Sequence, residues 1–126
     1  MNILITGGTG SFGQKFLDKI LQKKNNFKKI IIFSRDEYKQ HILKKRLSSN
    51  KNSKKLRFFL GDIRDKDRLN IALRDVDIVI HAAALKQVDS AEYNPTEYVK
   101  TNVIGSQNII ECSIQNDIKS YCTINR

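Results

Sequence analysis

A glycine-rich turn at residues 7–13 constrains the fold more than any other feature of the sequence. An apolar run at residues 2–6 passes directly into this turn, and apolar residues with helical spacing follow it. Gly8, Gly10 and Gly13 fit the pattern G-x-G-x-x-G, and an overlapping T-G-x-x-G-x-x-G pattern begins at Thr6. Glycines here allow a pyrophosphate to approach the backbone, while the helix start offers N–H groups. The turn therefore predicts a dinucleotide site. A P-loop is excluded because Gln14 stands where that motif needs lysine.

Apolar runs and breakers alternate regularly along the rest of the chain. The pattern predicts strands at 2–6, 29–34, 56–62, 76–82 and 119–124, and helices at 11–23, 36–47, 69–73 and from Asn94 onward. Asn94 caps the last helix, Pro95 occupies its first position and Glu97 completes a capping box. The predicted fold is one α/β domain over residues 1–126, a Rossmann-like doubly wound parallel sheet of about five strands in the order 3-2-1-4-5.

The composition excludes several classes of function. The chain has 126 residues and a net charge of +10, most of it between residues 15 and 57. Aromatic residues are not interleaved with these charges, so nucleic-acid binding is not expected. Cys112 and Cys122 are expected to be buried free thiols, and no metal site is expected. No apolar run is long enough to cross a membrane, and no leader precedes the first strand, so we expect a cytoplasmic protein.

The end of the second strand discriminates between the two nicotinamide cofactors. An NAD site places a carboxylate there, whereas this chain has Ser34 and Arg35, followed by Asp36 and Lys39. A hydroxyl and a guanidinium suit a 2′-phosphate, so the sequence favours NADP. The alternative is that Arg35 and Lys39 are solvated and that Asp36 caps the next helix.

Two further strand ends face the same edge of the predicted sheet. Asp62, after the third strand, is placed to accept a hydrogen bond from the adenine amino group, or else it caps a turn or helix. Residues 81–84 read HAAA, and their small side chains leave room for the cofactor ribose or serve only close packing.

Taken together, the segments TGGTGSFG, SRDEYKQ, RFFLGDIRD, HAAALKQV, AEYNP and KTNVIG resemble the extended short-chain dehydrogenase/reductase superfamily. Within it they are most similar to the bacterial inverting UDP-N-acetylglucosamine 4,6-dehydratases and related polysaccharide biosynthesis proteins, over residues 2 to about 119. The resemblance implies that bound NADP⁺ takes hydride from C4 of the sugar, water is eliminated across C5 and C6, and the hydride returns to C6.

The resemblance also implies roles for individual residues. Residues of the glycine turn bind the pyrophosphate: Gly7, Thr9, Gly10, Ser11, Phe12 and Gly13. Residues after the second strand bind the 2′-phosphate: Ser34, Arg35, Asp36 and Lys39. Asp62 and Ile63 contact adenine, and Ala82 contacts the ribose. Lys86 faces the UDP-sugar substrate, unless it is a solvated loop lysine. Asn102 matches a structural asparagine, and Gln87 stands where the family usually has histidine.

The catalytic part of the family pattern is missing from this sequence. No Ser-Thr-Asp-Lys segment is present, and none of the four tyrosines has a lysine four residues later. We therefore expect no catalytic residue, a C-terminally incomplete, truncated domain without its substrate domain, and no activity as this fragment. Alternatives are a stand-alone nucleotide-binding or regulatory module, or another extended enzyme of the superfamily such as a sugar-nucleotide epimerase. We also expect self-association or a homo-oligomer, through strand five and a face exposed around Val79, Ile118 and Tyr121.

Overall fold

The computed structural model describes residues 1–22, 26–82 and 103–123. Five strands and four helices alternate along these ranges. They are β1 Asn2–Thr6, α1 Ser11–Gln22, β2 Lys29–Ser34, α2 Glu37–Leu47, a short 3₁₀ turn Ser53–Lys55, β3 Leu56–Leu60, α3 Lys66–Ala72, β4 Ile78–His81, α4 Gly105–Gln115 and β5 Ser120–Thr123. Within the described ranges, no helix is both long and apolar enough to cross a membrane.

The five strands form one parallel sheet in the order β3-β2-β1-β4-β5. The central strand is β1, and its Ile3 pairs with Ile30 of β2 on one side and Ile78 of β4 on the other. The predicted fold class and strand order are both confirmed. Since parallel strands end at the same edge, the segments after β1, β2, β3 and β4 converge there.

Both faces of the sheet are covered, which explains why the central strands are almost continuously apolar. On one face α1 and α2 pack through Leu17, Leu21, Leu43 and Leu47. On the other face α3 and α4 form a second core with β1, β2 and β4, and its buried members include Leu4, Phe33, Leu69, Leu73, Val79, Ile109 and Cys112.

Aspartates begin two of the helices. The Asp36 carboxylate accepts a hydrogen bond from the Lys39 N–H at 3.0 Å at the start of α2, and Asp65 accepts from the Arg68 N–H at 3.1 Å at the start of α3. Asp36 therefore caps its helix, as the alternative interpretation predicted. The helix start predicted at Asn94, Pro95 and Glu97 lies outside the described residues, as does Asn102.

Two burial predictions were wrong. Val79 is fully buried, because it packs in the core that α3 and α4 cover. Cys112 is buried as expected, but Cys122 is exposed because all four residues of β5 are exposed. Tyr121 is exposed and Ile118 is half-buried against the core, so the open surface lies on β5 and does not extend to Val79.

Candidate nucleotide-binding site

The glycine turn joins β1 to α1 in a conformation that two glycines make possible. Gly7 has a φ of 71°, and its N–H donates to the Phe33 carbonyl of β2 at 3.3 Å. A Cβ atom at Gly13 would collide with the carbonyl oxygen of Gly7, so a side chain there would push the helix away from the turn. The first turn of α1 contains no acidic residue. Its N-terminal dipole is therefore available to an anionic ligand.

A cavity of about 260 Å³ opens beside this turn at the carboxyl edge of the sheet. Among the predicted cofactor residues, those that line it are Gly7, Thr9, Gly10, Ser34, Arg35, Asp36, Lys39, Ile63 and Ala82. Phe33 and Gly61 line it as well, although the sequence analysis did not single them out. Ser11, Phe12, Gly13 and Asp62 do not line this cavity, and Lys86 lies outside the described residues.

The β2 side of the cavity is rich in hydrogen-bond donors. Arg35 and Lys39 are exposed cations, and Ser34 is half-buried between them and the sheet. The nearby carboxylate of Asp36 is engaged as the cap of α2. Charge and donors thus favour an anionic group, such as a phosphate, at this end of the cavity.

Asp62 lies behind Arg35 and is held mainly by Arg64. The Arg64 guanidinium donates to both carboxylate oxygens, at 2.7 Å and 3.1 Å, and its backbone N–H donates to Oδ1 at 2.9 Å. The nearest Arg35 nitrogen is 3.9 Å from Oδ2. Burial raises the pKa of the Asp62 carboxyl, but the hydrogen bonds and charges of the two arginines outweigh burial and lower it. Asp62 is therefore an ionised carboxylate, and Arg64 already donates hydrogen bonds to both of its oxygens.

A second polar cluster joins the ends of β1 and β4 to the start of α4. The Thr6 hydroxyl lies 2.7 Å from His81 Nδ1 and accepts from the Ala82 N–H at 3.1 Å, while His81 Nε2 lies 3.2 Å from the Ser106 hydroxyl. Burial lowers the pKa of His81 to about 4. At neutral pH the ring is uncharged, so one of its two nitrogens donates a hydrogen bond and the other accepts one. These bonds hold Ala82 at the cavity wall.

Sequence reasoning missed several residues that shape the site: Thr6, Phe33, Gln40, Gly61, Arg64 and His81. Two of them carry a recognisable signal. Gly61 directly follows a strand, where a glycine often marks a close approach. Gln40 occupies a position of the apolar stripe of α2 that it shares with Leu43 and Leu47, so a polar residue there indicates a buried hydrogen-bond partner.

The described part of the chain contains no candidate metal-binding site. Across residues 1–22, 26–82 and 103–123, no three His, Cys, Asp or Glu side chains are grouped as metal ligands would be.

The strand order, the glycine turn and the cavity at the carboxyl edge define a Rossmann-type domain of the short-chain dehydrogenase/reductase class. Within this class the chain belongs to the polysaccharide biosynthesis protein family, whose sequence profile matches residues 3–125.

Three similar proteins illustrate this membership. The inverting UDP-N-acetylglucosamine 4,6-dehydratase of Campylobacter jejuni (strain 81-176) is 55% identical over 120 residues, which are 94% of this chain and 34% of that protein. A UDP-glucose 4-epimerase of Rickettsia akari is 45% identical over 118 residues, or 92% of this chain and 33% of that protein. The dTDP-glucose 4,6-dehydratase DesIV of Streptomyces venezuelae, solved with NAD bound, is 27% identical with a TM-score of 0.81, covering 96% of this chain and 38% of that one. The chain spans about a third of the length of the two sequence relatives.

Proposed function

We propose that the chain is the NADP(H)-binding N-terminal part of a sugar-nucleotide 4,6-dehydratase that acts on UDP-N-acetylglucosamine, in the synthesis of a bacterial surface polysaccharide or flagellin glycan. The observation that carries this proposal is the cavity, which brings the glycine turn together with Ser34, Arg35 and Lys39. The identity of 55% to a dehydratase of this specificity supports the choice of reaction and substrate.

The residues present fit a dinucleotide along the carboxyl edge of the sheet. Gly7 and Gly10 leave the backbone open to a pyrophosphate, and the start of α1 offers it N–H groups. Ile63 and Ala82 supply apolar surface for adenine and ribose. When bound, the nicotinamide supplies the hydride acceptor and donor for the reaction, while these residues bind and orient the cofactor.

The preference for NADP(H) rests on charge. Arg35 and Lys39 place two cations at the β2 end, while Asp36 caps α2 and Asp62 is paired with Arg64. An NAD site needs a carboxylate that is free to accept from the ribose 2′-hydroxyl. The arrangement instead favours a ligand that brings its own negative charge to this position.

Calorimetric titration of the purified chain with NADP⁺ and with NAD⁺ tests the proposal. One charge-assisted hydrogen bond to the 2′-phosphate stabilises the complex by about 1.5 to 3 kcal/mol, so NADP⁺ is expected to bind at least about tenfold more tightly. Adenosine 2′,5′-bisphosphate should bind more tightly than adenosine 5′-phosphate by most of the same factor, because these two ligands differ only in the 2′-phosphate. Equal affinities for NADP⁺ and NAD⁺ would contradict the cofactor assignment.

The 45% identity to a 4-epimerase favours a second candidate reaction on a UDP-sugar. The two reactions differ in product, because dehydration yields a 4-keto-6-deoxy sugar and epimerisation yields the C4 epimer. Mass spectrometry and sugar analysis after incubation with UDP-N-acetylglucosamine distinguish them. We expect neither product, since the sequence lacks the Tyr-x-x-x-Lys and Ser-Thr-Asp-Lys residues. Turnover to either product would identify the reaction and show that other residues catalyse it.

Two other expectations stay predictions. Cytoplasmic location is one, and self-association through the exposed β5 is the other. Light scattering of the purified chain checks the second, because a monodisperse monomer would contradict it.

A further inference from the structure

Gln40 is a buried polar side chain. It belongs neither to the glycine turn nor to the charged groups of the site, so its burial needs another explanation. It lies on α2, its residue is 6% exposed, and it occupies the helix face that Leu43 and Leu47 turn toward the sheet. Burying an amide stabilises a fold only when its hydrogen bonds are satisfied. Its partners therefore show what this position does.

The Gln40 side-chain nitrogen contacts three oxygens at the carboxyl ends of β2 and β3. It lies 2.7 Å from the Ser34 hydroxyl, 3.1 Å from the Phe59 carbonyl oxygen and 3.4 Å from the Ser34 carbonyl oxygen. A carbonyl oxygen only accepts, so the group that faces Phe59 and Ser34 must be the amide NH₂. The chemistry of the partners therefore determines which end of the amide points here.

The direction of the shortest bond follows from the same argument. An amide nitrogen does not accept hydrogen bonds, so at 2.7 Å the Ser34 oxygen must accept from Gln40. The proton of the Ser34 hydroxyl is thereby directed away from Gln40. Ser34 also lines the cavity, so a ligand bound there can receive this proton.

We infer that Gln40 is a positioning residue that sets Ser34 as a hydrogen-bond donor to the 2′-phosphate of the cofactor and so contributes to the choice of NADP(H) over NAD(H). The inference rests on the proposed function. A 2′-phosphate carries only acceptor oxygens at neutral pH, whereas a 2′-hydroxyl both donates and accepts. A Ser34 hydroxyl that is fixed as a donor beside Arg35 and Lys39 therefore complements a 2′-phosphate better than a 2′-hydroxyl.

A double-mutant cycle tests the inference with adenosine 2′,5′-bisphosphate as the probe. Ser34→Ala removes the donor and should weaken binding about tenfold, the usual effect of losing a hydrogen bond to a charged group. Gln40→Met keeps the side-chain volume but frees the hydroxyl, and it should weaken binding about three- to fivefold. In the Ser34→Ala background, Gln40→Met should have no further effect, because the hydroxyl that Gln40 orients is gone.

Two ligands and one control variant separate a positioning role from a purely structural one. Adenosine 5′-phosphate should bind all variants almost equally, because it lacks the 2′-phosphate. Gln22→Met, at the exposed end of α1, should leave both affinities unchanged. Equal loss for both ligands, or the same loss from Gln40→Met with and without Ser34, would overturn the inference. Failure of the unmodified chain to prefer the 2′-phosphate ligand would instead overturn the proposed function.

A measurement on the unmodified chain covers the case in which Gln40→Met does not fold. In ¹⁵N NMR spectra, the side-chain NH₂ signal of Gln40 should shift when adenosine 2′-phosphate binds, because a hydroxyl that donates becomes a better acceptor from Gln40. Adenosine 5′-phosphate should leave the signal in place. If both ligands or neither shifted the signal while the 2′-phosphate ligand bound, the inference would be wrong.

Discussion

Two polar networks lie at the same edge of the sheet and differ in almost every physical property. The β2 network consists of Ser34, Arg35, Asp36, Lys39 and Gln40, and most of its members are charged and exposed. The β4 network consists of Thr6, His81, Ser106 and the Ala82 N–H, and it is uncharged at neutral pH, with Thr6 and His81 buried. The difference shows that position at the carboxyl edge does not by itself make a polar residue a ligand contact.

Solvent contact decides which network can serve a ligand. Exposed cations are hydrated, so Lys39 needs no protein partner and Arg35 makes only a long ion pair, 3.9 Å from Asp62. A buried hydroxyl or imidazole is more stable when it is hydrogen-bonded inside the protein, as Thr6 and His81 are. The β4 network therefore holds strands and helix together, and the β2 network is the one whose charges remain accessible to a ligand.

Acidification should break the β4 network first. The pKa of His81 is lowered to about 4 by burial, against 6.5 in an exposed histidine, so between these values the unfolded chain binds a proton that the folded chain does not. Stability from this residue is therefore complete above pH 6.5 and is lost as the pH falls. The expected loss at about pH 4.5 is roughly 2 to 3 kcal/mol. Urea unfolding near pH 7 and near pH 4.5 measures it.

Comparison with a variant isolates the histidine from the carboxylates, which also titrate in acid. His81→Asn should be less stable near neutral pH, and its stability should fall less on acidification than that of the unmodified chain. His41→Asn removes an exposed histidine of α2 and should follow the unmodified chain. Parallel pH curves for all three proteins would show that His81 is not the group responsible.

Removal of Arg35 should break the β2 network in a different way. Arg35→Ala takes away a cation whose side chain is 46% exposed, so the folded state should lose little stability. The affinity for NADP⁺ should fall about tenfold, and the affinity for NAD⁺ should change little. Arg74→Ala removes an exposed arginine remote from the cavity and provides the matched control in calorimetric titrations. A loss of similar size in both variants would assign the effect to overall charge.

The two helix caps give the test with the smallest expected effects. Asp36→Ala and Asp65→Ala each remove a carboxylate that accepts from a first-turn N–H, so each should lower the free energy of unfolding by about 1 kcal/mol. Only Asp36 lines the cavity. Its loss should also tighten NADP⁺ binding slightly, by roughly two- to threefold, since one negative charge near the phosphate is removed. Identical NADP⁺ affinities in the two variants would show that Asp36 acts only as a cap.

The sequence was sufficient for the parts of the molecule that depend on local pattern. The segments NILIT and KIIIFS have the bounds of β1 and β2 in the structure, because strands buried on both faces are apolar throughout. The strand order followed from the βαβ pattern. Most of the predicted site residues that the structure describes meet in one cavity, because they follow strands that end at one edge.

The features that the sequence did not predict depend on which elements pack against each other. Local sequence pattern does not reveal that packing. Val79 was expected to be exposed, but it is buried, and its burial depends on α3 and α4 lying over β4. Asp62 was assigned either to adenine or to a turn or helix cap, and its carboxylate does accept from the Arg64 N–H in the turn after β3. Its pairing with the Arg64 guanidinium was not predicted. Gln40 gave a signal in its helical phase, but its partners come from two different strands and are adjacent only in the folded sheet.

The parallel register has a consequence for the order in which the chain assembles. Gln40 and Ser34 are 6 residues apart, whereas Thr6 and His81 are 75 residues apart. Closing the longer loop costs roughly 2 kcal/mol more in chain entropy. A chain leaving the ribosome also presents β1, β2 and α2 before β4 exists. The half of the edge that contains Ser34 and Gln40 is therefore expected to take shape first, and the contact between Thr6 and His81 forms afterwards.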